Sequence, residues 1–204
     1  MARWEPGTRE RLERAAWELF AEVGFAEATV PQITARAGLT TRTFFRYFAD
    51  KREVLFAGDD EYVRQVAAIV AAAPPGLSPM ALLAHGLRSV AEQLLEGRRD
   101  QMRAQRAIVA ADEGLRERGV HKQALLAEVV ADGLRERGAD DLEAVLTART
   151  STTVFSTAVG RWLDADDDRP LAAHVHEVLA ALASATADLP HVVAAARADG
   201  PDRA

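Results

Sequence analysis

The sequence predicts an all-α protein of about nine helices. Apolar residues recur at three- and four-residue steps along most of the chain, helix-capping residues stand just before those runs, and no stretch reads convincingly as a strand. At 204 residues, 49% hydrophobic and 27% charged, the chain is long enough for one domain or two small ones with a real core.

Leu12, Ala15, Ala16, Leu19, Phe20 and Val23 form one apolar helical face that stops at Gly24. Thr29 is placed to cap a second helix, with Gln32 three residues on completing a capping box. That helix carries Ile33 and Ala37 on one face and ends at Gly38. Thr40 caps a third, short helix from Thr41 to Tyr47, and Asp50 with Glu53 opens a long fourth one from Lys51 to about Ala73. The breaker PPG at 74–76 ends it, and Ser78-Pro79 starts the next. Further helices are expected at about 79–96, 98–111, 120–137, 141–163 and 170–188. The hexapeptide GLRERG occurs at 114–119 and at 133–138, and both copies read as arginine-bearing helix ends.

Composition removes several function classes. Cysteine is absent, so disulfides and thiol catalysis are excluded. The start MARWEPGTRER lacks the apolar core of a secretory signal, and the longest apolar run, Val66 to Ala73, is far too short to span a bilayer. A cytoplasmic protein without membrane association is expected. His174 and His176 are two apart and point away from each other on a helix, and DADDD at 164–168 lacks the spacing of a calcium loop, so no metal site is expected. No phosphate loop or nucleophile elbow occurs either, so neither an enzyme nor a cofactor is expected.

The third helix carries the chemistry. Helices two and three are joined by AGLT, the tight glycine turn of a helix-turn-helix. Two turns of helix are too short to stand alone. Phe44 and Phe48, four apart, can clamp it to the core together with Leu39, leaving Thr41, Arg42, Thr43, Phe45 and Arg46 on the other face. Hydroxyls and guanidinium groups suit phosphate oxygens and base edges, and Arg42 can pair bidentately with a guanine. Tyr47 offers a hydroxyl, and Lys51 stands in the first turn of the next helix, where backbone N–H groups also attract phosphate. Charge is distributed accordingly: residues 1–56 carry a formal +1 and the remainder −7.

The run FAEVGFAEATVPQITARAGLTTRTFFRYFADKREVL resembles the N-terminal DNA-binding domain of the TetR family of bacterial transcriptional regulators, over about residues 9–56. The correspondence lies in Gly24 and Phe25, Thr29 and Val30, Ile33, Ala37 to Thr40, Thr43 to Phe48, and Lys51. Phe45 stands where the family commonly has tyrosine, and Thr34 where it has alanine, a change expected to be tolerated near a surface.

The resemblance implies a DNA-binding domain at 1–50, an effector-binding and dimerisation domain at 51–190, and a tail at 191–204. It implies contacts to operator DNA from Thr29, Thr40, Thr41, Arg42, Thr43, Phe45, Arg46, Tyr47 and Lys51. Homodimerisation is expected through the last two long helices, with Val154, Ala158, Val175, Val178, Leu179 and Leu182 as interface residues. The second domain resembles a subgroup whose effectors are acyl-CoA-like. Met102, Arg103, Arg106, Phe155 and Trp162 are the expected pocket wall for an amphipathic or apolar ligand. The function implied is a homodimeric repressor released from a palindromic operator by that effector; the alternative is a helical adaptor that binds no DNA.

Overall fold

The computed structural model describes residues 7–198, which form eleven α-helices and no strand. They divide into two compact units: the chain through Gln65 with Arg98–Leu126, and Val66–Gly97 with the chain from Ala127 onward. Helices α5 and α8 each begin in the first unit and end in the second.

In the first unit, α1 (Thr8–Val23), α2 (Val30–Ala37) and α3 (Thr41–Tyr47) enclose a core of Leu12, Ala16, Phe20, Ile33 and Phe44, each at most 3% exposed. The caps lie where the sequence places them. The Thr29 hydroxyl accepts from the Gln32 amide while Gln32 Oε1 accepts from the Thr29 amide at 2.9 Å. Thr40 Oγ1 accepts from the Thr43 amide at 3.1 Å. Gly38 takes φ 65° between α2 and α3, a conformation that a side chain would strain. Thr34 is buried rather than near a surface, and its hydroxyl donates to the Pro31 carbonyl within its own helix.

The long fourth helix is two helices, α4 (Lys51–Leu55) and α5 (Asp59–Ala72). Phe56 leaves helical geometry and Gly58 follows it. The acidic run Asp59-Asp60-Glu61 then supplies a new first turn, where negative charge meets the positive helix pole. Asp50 caps α4 through the Arg52 and Glu53 amides, but Glu53 reaches back to the Ala49 amide rather than to Asp50.

Also in this unit, α7 (Arg99–Ala111) and the start of α8 (Glu113–Glu136) cover α4. Leu115 is fully buried with Val54, Leu55 and Phe56, and the Arg118 guanidinium lies 4.5 Å from the centre of the Phe56 ring. The Lys122 ammonium pairs with Asp59 at 2.6 Å and sits over the Tyr62 ring, whose phenol burial pushes up, helped by the Asp59 charge. α8 thus starts seven residues before the expected Val120. Asp112 Oδ1 accepts from the Leu115 amide, so the first GLRERG copy begins a helix instead of ending one.

The second unit contains the remainder of α5 and α6 (Pro79–Val90), which continues in π geometry over Ala91–Leu95. The end of α8, α9 (Asp141–Asp164), α10 (Leu171–Ala185) and α11 (Leu189–Ala198) complete it. α5 and α8 approach so closely that a Cβ on Gly133 would lie 2.5 Å from Val70 Cγ1. Arg137 closes the C-terminal end of α5 by donating to the carbonyls of Ala73 and Pro74. The expected tail after residue 190 is helical as far as Ala198; its residues 199–204 lie outside the described residues.

Leu171–Ala195, mean hydropathy 1.5, has the length and composition of a membrane span, although the turn at 186–188 separates α10 from α11 within it. The expectation that no such segment exists rested on uninterrupted apolar runs and overlooked this one. Leu171, His174 and Val175 on α10 are buried in the unit.

Candidate nucleic-acid interface

The short α3 is held by its two phenyl rings. Phe44 is fully buried and Phe48 is 3% exposed, with ring centres 5.3 Å apart. Around them Arg11 donates to the Ala37 carbonyl at 2.6 Å, closing α2, and Arg36 makes two hydrogen bonds to Glu22, tying α2 to the end of α1. The hydrogen bond from Arg36 holds the Glu22 carboxyl below its ordinary value. α3 is thereby fixed on one side, and its other side is open.

On that open side Thr41, Arg42, Phe45 and Arg46 are exposed, and Thr43 and Tyr47 are half-buried. Phe45 is 58% exposed and stands edge-on to Phe44. Arg42 makes no hydrogen bond or ion pair among the described residues. Arg46 stacks on Tyr47, 5.0 Å from the ring centre, which orients both. Thr40 and Thr29 are exposed, but each is already engaged as an N-cap, so a phosphate reaching either shares it with a backbone amide. No acidic residue occurs from Leu39 to Ala49.

The Lys51 ammonium donates to the carbonyls of Phe25, Ala26 and Ala28 at 2.7, 2.9 and 2.9 Å and lies over the Phe25 ring. An ammonium has three N–H donors, and all three are used. Lys51 therefore pins the α1–α2 turn. This role needs residues 25–28 and 51 side by side, which no local spacing announces.

A partly open cavity of about 40 Å³ is formed by residues of the second unit. Its walls are Val66, Ile69 and Val70 of α5, Leu82, Leu83, Gly86, Leu87 and Val90 of α6, Val130 and Leu134 of α8, and Thr147 and Ser151 of α9. None of the five expected effector residues lines it. Met102, Arg103 and Arg106 lie on α7 in the first unit. Phe155 and Trp162 lie on α9, with Trp162 buried and Phe155 half-buried. The signal that was overlooked is the hydroxyl-rich run TARTSTT at 147–153, uncommon inside a helix.

The expected dimer residues divide. Val154, Ala158 and Val175 are at most 3% exposed within the chain itself, so they are core and cannot meet a partner copy. Val178, Leu179 and Leu182 on α10 are half-buried. Leu142 and Leu146 on α9 and Leu189, Val192 and Val193 on α11 are exposed large apolar residues.

The profile of the family described as bacterial regulatory proteins, tetR family, matches residues 13–57. The HTH-type transcriptional regulator TcmR of Streptomyces glaucescens is 33% identical over 90 residues, 44% of this chain and 40% of its own length. The HTH-type transcriptional regulator BetI of Stenotrophomonas maltophilia (strain R551-3) is 39% identical over 67 residues, 33% of this chain and 34% of its own length. The chain thus spans well under half the length of these relatives. In structure it is similar to a transcriptional regulator from Pseudomonas aeruginosa PAO1, with a TM-score of 0.65 at 20% identity, over 91% of this chain and 93% of that one.

Proposed function

We propose that the chain is a member of the tetR family of bacterial regulatory proteins, whose profile matches residues 13–57, and that it is a homodimeric repressor whose α3 enters the major groove of an operator. The observation that carries this reading is α3 itself. Its buried side is fixed by Phe44 and Phe48, while Arg42 stands exposed and Phe45 stands exposed with its ring edge-on to Phe44. Arg42 suits a guanine edge or a phosphate, and the Phe45 ring suits a thymine methyl.

Dimerisation is assigned to the half-buried stripe Val178, Leu179 and Leu182 with the exposed apolar residues of α11 and of the start of α9. Exposed large apolar residues on these helices suit cover by a second copy, and a two-fold axis makes such an interface self-complementary. Two copies then present two α3 helices to half-sites about one DNA turn apart.

The effector is assigned to the cavity of the second unit. α8 connects it to the DNA-binding side: this unbroken helix places Leu115 in the core of the first unit and Val130 and Leu134 in the cavity wall. A coupling of about 1–3 kcal/mol changes DNA affinity roughly 5- to 150-fold. Footprinting of the DNA flanking its own gene tests the reading: two protected half-sites related by a dyad are expected, and a lack of any protected site contradicts it.

A further inference from the structure

The unpaired hydroxyl of Thr147 is the starting point. Along α9 the hydroxyls of Ser151, Thr152, Thr153, Ser156 and Thr157 all donate back to helix carbonyls. Thr147, 6% exposed and in the cavity wall, makes no hydrogen bond among the described residues. A hydroxyl set in an apolar wall with no hydrogen bond of its own is a ready partner for a ligand's polar atom, and Thr147 is one of the two hydroxyl residues that line this space.

Gly86 is the second oddity. It sits within α6 at an ordinary helical conformation, where glycine costs about 0.5–1 kcal/mol against alanine. A Cβ built there meets nothing within 4 Å, so neither backbone geometry nor close packing requires glycine. It belongs to the stripe 82, 83, 86, 87 and 90 that faces the cavity, and its missing side chain enlarges that space.

The wall chemistry is the third. No charged residue is among the twelve that line the cavity. An anion bound there would be a buried, unpaired charge, which is strongly unfavourable. The volume, about 40 Å³ on a scale where one water needs roughly 10–15 Å³, suits a compact molecule and not a nucleotide thioester.

We propose that this cavity binds a compact, uncharged, apolar molecule bearing a single hydroxyl or carbonyl, which Thr147 and Ser151 hold while its apolar body fills the space left by Gly86. Thr147 can donate or accept. Ser151 spends its proton on the Ala148 carbonyl at 2.6 Å and keeps its lone pairs. The two residues are four apart on α9 and so share a face. The proposal rests on the effector reading and narrows it: the acyl-CoA-like ligand and the cationic wall expected from the sequence do not match these residues.

The test uses the full chain and three probes of four heavy atoms each: propan-2-ol, 2-methylpropane and acetate, with binding followed by NMR. Propan-2-ol is expected to bind at least about 100-fold more tightly than the carboxylate, because only the latter buries a charge. Thr147→Val is expected to weaken propan-2-ol roughly 3- to 10-fold and leave 2-methylpropane unchanged, the size of one net hydrogen bond. Gly86→Leu should block both neutral probes. Gly86→Ala, which meets no neighbour, should keep the fold and weaken both, and it stands in if the leucine variant does not fold. Carboxylate binding equal to or tighter than the alcohol, no binding by any probe, or alcohol binding indifferent to both positions overturns the proposal. Operator release is scored separately: binding of propan-2-ol without release contradicts the effector reading and leaves this site standing.

Discussion

The Lys51 ammonium lies 2.7 Å from the carbonyl oxygen of Phe25 and 4.7 Å from the centre of that residue's ring. One lysine thus serves two carbonyls further along the same turn and one aromatic face, and holds the segment that delivers α2. Replacing it with methionine should cost about 1–3 kcal/mol in urea unfolding, the loss of charged hydrogen bonds to carbonyls left partly unsatisfied. DNA affinity should fall with it, but the dependence of log affinity on log salt should keep its slope. A phosphate contact would instead lower that slope by about one.

Phe44 and Phe45 are adjacent and do opposite work. Phe44→Ala empties a fully buried site and should destabilise the chain by about 3–5 kcal/mol. Phe45→Ala removes an exposed ring and should change stability by about 0.5 kcal/mol or less while weakening DNA binding. Chemical unfolding and fluorescence anisotropy on the same two variants separate the effects; a large stability loss at Phe45 would place its ring in the core.

Thr40 carries the N-cap of α3 through its hydrogen bond from the Thr43 amide. Thr40→Ala should cost about 0.5–2 kcal/mol, and Thr40→Ser should restore most of it, since serine caps as well. Equal losses for both variants would show that the methyl group matters and the cap does not.

Acid sensitivity has a local source in Glu22. The hydrogen bond from Arg36 keeps its carboxyl below the ordinary 4.5, so the tie between α1 and α2 favours the fold above that value. It is lost as pH falls through the lowered one. A Glu22→Gln chain should be less stable than the parent near pH 6, and the gap should close as the pH falls through the lowered value. A gap independent of pH would trace the effect to geometry alone.

Much of the α1–α3 segment was legible because its signals are local. Thr29, Thr40, Asp50 and the glycines act within four residues of themselves, and the spacing of Phe44 and Phe48 states which side of α3 is buried. The break between α4 and α5 was visible in Gly58 and the acidic run after it, yet the apolar period continues across it and hid it. The tie from Lys51 to the α1–α2 turn was not legible because its partners lie 23 to 26 residues away. The cavity was missed for a similar reason: Gly86, Val130 and Thr147 belong to three helices, and nothing in any one of them announces a shared space. Val154, Ala158 and Val175 looked like interface residues because an apolar stripe does not say whether its own chain or another covers it.

Covering of α10 by a second copy has a direct test. Leu182→Glu places a charge on the half-buried stripe without entering the core. Light scattering should report a dimer for the parent chain and a monomer for the variant, with helix content unchanged. A variant that remains dimeric would move the interface elsewhere.

The central claim is that the open side of α3 meets a duplex, and the salt dependence of binding to DNA flanking its own gene, with Arg42→Ala beside the parent, tests it most directly. Steep weakening with salt is expected for the parent. Arg42→Ala should lose about 1–3 kcal/mol of specific binding if the guanidinium reads a guanine, or lower the salt slope by about one if it meets a phosphate, with stability unchanged in either case. Binding that ignores both salt and Arg42 would contradict the account.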